Sequence, residues 1–170
     1  MKSWPTPVAL GTASLMLEPL TIEHAGEMVD VLAPSAIYDH IGGVAPTVTQ
    51  LTERYKRQVV GHSGDGQEGW MNWIVRTQDS GEAVGFTQAT LANKGGVVYA
   101  NVAWVISPVH QGRGFATDAA RIMCDWLRSQ GVELLVANIS PANVPSVAVA
   151  RNLGLHATET ITDGETRWES

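Results

Sequence analysis

Cysteine is nearly missing from this chain. Cys124 is the single thiol in 170 residues, which excludes an internal disulfide framework and makes the reducing cytoplasm the expected location. Metal-ligand spacing is also missing: the five histidines are scattered, so no metal is expected. No apolar run approaches the roughly 18 residues of a membrane span, and no membrane partner is expected. The stretch after Lys2 is a poor secretory leader because Pro5 and Pro7 interrupt it. Basic residues are few, 11 Lys and Arg against 17 Asp and Glu, and the net charge of −6 argues against nucleic acid as the main partner. With no internal repeat or composition break, residues 1–170 are expected to form one domain, with 1–12 as a Pro-containing lead-in.

What is present is an ordinary globular composition, 44% apolar and 16% charged, arranged in alternating periods. Ser14–Leu20 reads as a strand ended by Pro19. Thr21 caps a helix with Ile22, Ala25, Met28, Val29 and Leu32 on one face, stopped by Pro34. Tyr38–Gly43 is expected as a loop or short turn. A second helix follows Pro46, with Thr47 and Gln50 as a capping box and Val48, Leu51, Tyr55 and Val59 as its stripe. His62–Gly66 reads as flexible linker. Three strand-like runs then follow with only short turns between them, Trp70–Thr77, Glu82–Leu91 and Val97–Ile106, so they must be antiparallel neighbours. A helix from Phe115 to about Gly131 and a buried-looking strand, Val132–Ile139, come next. The latter returns by a crossover and must lie parallel to its predecessor. Asn143 caps a helix over Val144–Leu153, and Leu155–Ile161 with Glu165–Glu169 form a closing hairpin. The expected class is α/β with a mixed sheet, in the order β-α-α-β-β-β-α-β-α-β-β.

The junction at 106–117 carries the chemistry. Pro108 ends the ladder because it has no N–H to donate. Gly112 and Gly114 then permit main-chain conformations closed to other residues, just before a helix whose first turn presents unpaired N–H groups and a positive dipole end. Such a junction binds phosphate. A Walker A loop is excluded, since no Lys follows either glycine. A dinucleotide fingerprint would be matched at Gly112 and Gly114, with Glu133 near the acidic position, but Thr117 stands where its third glycine belongs. The antiparallel meander also stands where such a fold needs helical crossovers.

Gln111-Gly112-Arg113-Gly114-Phe115-Ala116 resembles the Q/R-x-x-G-x-G/A signature of the GNAT acetyltransferase superfamily, and the element order resembles that fold from end to end. Asn143, Ser146 and Leu153-Gly154-Leu155, together with the opening Leu15-x-Leu17-Glu18-Pro19-Leu20, are similar to its ribosomal-protein N-terminal acetyltransferase branch, with Glu18 where Arg is usual. The resemblance implies acetyl-CoA as co-substrate. Gln111, Gly112, Arg113, Gly114, Phe115, Ala116 and Thr117 would hold its pyrophosphate, chiefly by backbone N–H groups, with Arg113 screening charge. Trp104, Val105 and Ile106 would align the pantetheine arm and offer an oxyanion donor. Asn143 would bind the pantetheine side and Ser146 would sit near it, unless the two serve only as a helix cap and its first turn.

The implied reaction is direct attack of a neutral amine on the thioester through a tetrahedral intermediate. The acceptor would be an amine-bearing small molecule or antibiotic, or a peptide N-terminus. Many family members place a Tyr seven residues after the asparagine to reprotonate the thiolate, but here Ala150 stands there, leaving Ser146 or water. Asp39 and His40, and less directly Glu18, are the candidate bases. Trp70, Trp73 and Trp104 are candidates for the acceptor pocket. Residues 1–53 carry six acids (Glu18, Glu23, Glu27, Asp30, Asp39, Glu53) and one base, while Arg113, Arg121, Arg128 and Arg151 gather in the later half. An acidic face would suit a cationic acceptor and a basic one the phosphates. A non-catalytic acyl-CoA-binding sensor or scaffold is the alternative, and a homodimer is admitted.

Overall fold

The computed structural model describes residues 3–170. Met1 and Lys2, part of the expected lead-in, lie outside them. The chain runs β1 (Leu10–Gly11), β2 (Leu15–Pro19), α1 (Ala25–Val31), α2 (Tyr38–Ile41), α3 (Val48–Gln58), β3 (Gly69–Thr77), β4 (Ala83–Lys94), β5 (Val97–Ile106), α4 (Phe115–Ser129), β6 (Leu134–Ile139), α5 (Val144–Asn152), β7 (His156–Thr162) and β8 (Glu165–Glu169). Among the described residues that is one strand and one helix more than the pattern predicts. β1 lies within the expected lead-in and pairs with β2. The segment expected as a loop or short turn at Tyr38–Gly43 holds the four-residue helix α2, led into by a turn of 3-10 helix at Ser35–Ile37; it is too short to show a helical period.

All eight strands form one sheet in the order β1-β2-β3-β4-β5-β6-β8-β7. Every pairing is antiparallel except β5 with β6, where α4 makes the crossover. The closing hairpin folds back so that β8, not β7, lies beside β6. No helix among the described residues is long and apolar enough to cross a membrane.

The strands alternate their side chains between two cores. Met71, Trp73, Val75, Leu91 and Val102 pack under Ala119, Met123 and Leu127 of α4. On the opposite face Ile74 meets Ala25, Met28 and Leu32 from the first helix and Leu51 and Tyr55 from α3, with Phe86 and Val105 at the edge. The capping box before α3 forms as expected, Gln50 N–H donating to Thr47 Oγ1 at 3.1 Å and Thr47 N–H to Gln50 Oε1 at 3.0 Å. Val48 and Val59, expected on its buried stripe, are exposed because the sheet beneath reaches only Leu51 and Tyr55. His62–Gly66 is no flexible linker. Gly66 N–H donates to Ser63 O, Asp65 accepts from Ser63 and Gln67, and the Trp4 indole donates to Gly66 O at 3.1 Å. Trp73 is 0% exposed and packs edge-to-face on Trp126 at 5.3 Å. It is therefore a core residue, with its indole N–H on Val8 O.

Two features of the sheet fix the neighbourhood of the later strands. Gly85 of β4 faces Ile106 of β5, and a Cβ on Gly85 would lie 2.0 Å from the Val105 carbonyl oxygen. Only glycine lets the two main chains approach so closely. Arg76 of β3 joins Glu18 of β2 to Glu27 of α1, donating to both carboxylates and to Gly81 O, while His24 Nε2 lies 3.3 Å from Glu18. The Arg76 guanidinium holds the Glu18 carboxyl below its usual range.

Two expected outcomes follow. Gly85→Ala forces β4 and β5 apart and destabilises by about 1–3 kcal/mol, as overpacking does; a thermal melt at or above that of the unaltered protein would show the strands free to separate. Arg76→Met leaves two carboxylates without their partner. Both are partly exposed, so the loss is about 1–2 kcal/mol, a fall in Tm of about 2–8 °C. Because the Glu18 carboxyl is depressed in the folded state, its contribution is present above the unfolded value and lost as pH falls through the folded one. The variant should therefore show a flatter loss of Tm between about pH 5 and pH 3, and an unchanged acid limb would contradict that coupling.

Candidate functional site

β5 and β6 begin as a parallel pair and then part. Their register runs only from Tyr99–Leu134 to Asn101–Val136, although β5 continues to Ile106 and β6 to Ile139. β6 keeps its ladder with β8 over Val136–Ile139, so it is β5 that is left open on one side. The alternation along β5 identifies the open groups. Ser107 N–H donates to Val84 O at 2.8 Å, which turns the odd residues toward β4. Val98 O accepts from Glu133 N–H at 2.8 Å, which turns the even residues toward β6. Trp104 and Ile106 therefore aim their main-chain N–H groups into the gap, and Val105 aims its own toward β4. Gln111 closes the end by donating its side-chain amide to Ile106 O at 3.0 Å.

The loop beyond that amide has the conformation its glycines permit. Gly112 (φ +79°) and Gly114 (φ +77°) are both left-handed, and no protein atom lies within 4 Å of where a Cβ of either would stand. Gly114 is the N-cap of α4, whose 15 residues end in a first turn of unpartnered N–H groups at the floor of the cleft. That cleft, about 670 Å³, is walled by Trp104, Val105 and Ile106, by Gln111, Gly112, Gly114, Phe115, Ala116 and Thr117, by Asn143 and Ser146 of the α5 end, and by Asp39 and His40 of α2. Among the described residues no group of three or more His, Cys, Asp or Glu could hold a metal ion.

Most of the residues singled out from sequence thus meet in one cleft. Arg113 does not: it lies outside the wall, its guanidinium 5.7 Å from the Phe115 ring. Asn143 caps α5, accepting from Ser146 N–H at 3.3 Å, and both still line the cleft. Ala150, 0% exposed, is sealed against the core and offers the cleft no proton. Glu18 is held by Arg76 and His24 away from the cleft wall. The thiol of Cys124 is pushed up to about 12 by burial, which leaves it inert. The expected charge segregation is largely cancelled locally. Arg121 lies 3.8 Å from Asp118 and Arg128 3.5 Å from Asp125, and Arg151 lies over Trp168. Sequence reasoning passed over His110, which lines the cleft with Nε2 3.5 Å from Glu82 and with Nδ1 buried and unpartnered. Only the turn that brings the β3–β4 corner to it reveals this pairing, and no local pattern announces it.

The same architecture occurs in proteins already known. An aminoglycoside acetyltransferase AAC(6')-Ib in complex with coenzyme A superimposes with a TM-score of 0.76 at 20% identity, over 92% of this chain and 94% of that one. The ribosomal L7/L12 alpha-N-protein acetyltransferase RimL, also in complex with coenzyme A, does so with a TM-score of 0.74 at 15% identity, over 94% of each. At such identities these likenesses speak for the fold. An uncharacterized N-acetyltransferase of Bacillus subtilis (strain 168), YnaD, is 27% identical over 55 residues, a match that spans only 32% of each chain. The acetyltransferase (GNAT) domain model matches residues 14–156, from β2 to the start of β7. With that match spanning the parted strands, the left-handed glycines and the α5 cap alike, the chain belongs to the GNAT acetyltransferase family.

Proposed function

We propose that the chain transfers the acetyl group of acetyl-CoA to a primary amine. The observation that carries this reading is the open edge of β5. Trp104 and Ile106 offer main-chain N–H groups to a cleft whose other end is a pair of left-handed glycines and the N-terminus of α4. A long ligand with anionic phosphates at one end and an amide-bearing arm at the other suits that sequence of donors. The residues that would hold it are Gly112, Gly114 and the first-turn amides for the pyrophosphate, the β5 edge for the arm, and Asn143 and Ser146 beside it.

The acceptor amine, neutral when it attacks, forms a bond to the thioester carbonyl carbon. The carbon–sulfur bond breaks, the amine loses one proton and the departing thiolate takes one up. Asp39 and His40 on α2 border the cleft and are the candidates for receiving the amine proton, with His110, backed by Glu82, as a third. Ser146 or water returns a proton to the thiolate. One observation favours a second reading, a CoA-binding module without turnover: Ala150 is buried where a proton donor would stand. We place the protein in the cytoplasm, in keeping with its single free thiol.

Release of free thiol from acetyl-CoA in the presence of an amine panel tests the reading. Amine-dependent release is expected, whereas calorimetric binding of acetyl-CoA with no release on any amine would favour the module. Gly114→Val should weaken acetyl-CoA binding at least tenfold, because a side chain would fill the space through which the loop backbone meets a ligand. The left-handed strain is about 1–2 kcal/mol, so Tm should fall by only about 2–8 °C. Unchanged affinity in a folded Gly114→Val protein would remove the loop from the cofactor site.

A further inference from the structure

A second cavity, of about 280 Å³, opens on the α1/α3 face of the sheet, and the mechanism above makes no use of it. Its floor is two cross-strand pairs of β3 and β4, Asn72 opposite Gln88 and Ile74 opposite Phe86. Leu32 and Tyr55 form its apolar roof, and Arg54 and Gln58 of α3 stand at its side. The cavity and the main cleft share no lining residue but open on the same side of the sheet. Phe86 pairs with Val105 across β4 and β5, and Phe86, Val105 and Ile37 of the cleft pack on one apolar cluster. One strand spacing, about 4.8 Å, separates the cavity floor from the cleft wall.

Its chemistry is selective. The side-chain amides of Gln58, Asn72 and Gln88 have no hydrogen-bond partner among the described residues, which leaves their donors and acceptors available to a ligand. Arg54 is the one charged residue lining the cavity, and no carboxylate among the described residues pairs with it. Of the six acids of the first third of the chain, Glu18 and Glu27 pair with Arg76 and Glu53 with Lys56, and none of the six lines the cavity. A polycation would meet no carboxylate there. The volume has room for on the order of ten non-hydrogen atoms, too few for a folded or polymeric substrate to insert more than one residue.

We propose that this cavity holds the body of the acceptor, and that the acceptor is a small primary amine carrying its amino group and its carboxylate at opposite ends of a short apolar chain, an ω-amino acid by class. The apolar part lies against Ile74, Phe86 and Tyr55. Arg54 takes the carboxylate, the amides take the remaining polar edge, and the amine reaches the cleft past Val105. The proposal rests on the transferase reading for its word acceptor.

Calorimetry and thiol release separate the two claims. The protein saturated with coenzyme A is titrated with 5-aminopentanoate and 6-aminohexanoate, with their methyl esters, with L-leucine and with spermidine, and the same panel is run with acetyl-CoA for turnover. The two ω-amino acids should bind at least tenfold more tightly than their esters, and L-leucine and spermidine more weakly than the ω-amino acids. Arg54→Gln should reduce the preference for carboxylate over ester tenfold or more, whereas Arg57→Gln, one turn position away and outside the cavity, should leave it intact. Arg54 is exposed on α3, so the variant is expected to fold. Equal or better binding of spermidine, or a carboxylate preference that survives Arg54→Gln, overturns the proposal. Binding of the ω-amino acids without thiol release supports the cavity's ligand class and overturns the transferase reading instead.

Discussion

A strand inside a sheet that lacks a neighbour on one side has to place its peptide groups somewhere. β5 is in that position from Val102 onward, because β6 leaves it after Asn101 and stays with β8. A buried N–H or C=O without a partner is unfavourable by about 1–3 kcal/mol, so the fold either closes the gap or fills it with something hydrogen-bonding. This molecule closes it only at its ends. Asn138 reaches Asn101 at the fork, and Gln111 caps Ile106 O at the far end. Between them Trp104 remains open on both its N–H and its C=O, and Ile106 on its N–H. Everything placed nearby, the glycine loop, the α5 cap and α2, surrounds that segment of unpaired backbone.

The opening depends on β5 being held rigidly from its other side. Ten consecutive register pairs join β4 to β5, from Lys94–Val97 to Gly85–Ile106. Gly85 brings the main chains closest where the gap is widest. Below, Trp73 and Trp126 wedge the sheet against α4, so the helix that presents its N-terminus to the cleft is fixed relative to the strand that presents its edge. A ligand spanning the two would find both already in place, which lowers the entropy lost on binding.

The half of the site built from main chain was legible in the sequence, because unusual backbone leaves a residue signature. Left-handed φ at positions 112 and 114 demands glycine, an α5 N-terminus at Asn143 uses an Asn cap, and the end of β5 is marked by Pro108. The strand boundaries of β5 and β8 were readable to the residue for the same reason, each being bounded by turn residues. What was not legible arises from tertiary placement. β1 has two residues and no period to show, and α2 has four. Trp73 and Trp104 sit on strands of similar composition, yet one is sealed in the core and the other lines the cleft. The approach of Glu82 to His110 depends on how a turn folds back across 27 intervening positions.

The two halves of the site therefore obey different rules. The proposed cofactor half would use groups that every residue possesses, so its specificity would come from backbone shape. The proposed acceptor half would use side chains drawn from α3, β3 and β4, segments with no local pattern in common. Its selectivity is electrostatic in the first instance. An acidic total charge would suggest a cationic partner, but no carboxylate lines the cavity, and Glu18, Glu27 and Glu53 are spent on Arg76 and Lys56. What a ligand meets is the sum over its own first contacts, since charges beyond about 8–10 Å are screened at ordinary ionic strength. In the proposed complex, Asp39 at the cleft and Arg54 at the cavity would present opposite signs to the two ends of one small molecule, an ammonium-forming end and an anionic one. That polarity would orient an ω-amino acid with its nitrogen toward β5 before any hydrogen bond is made.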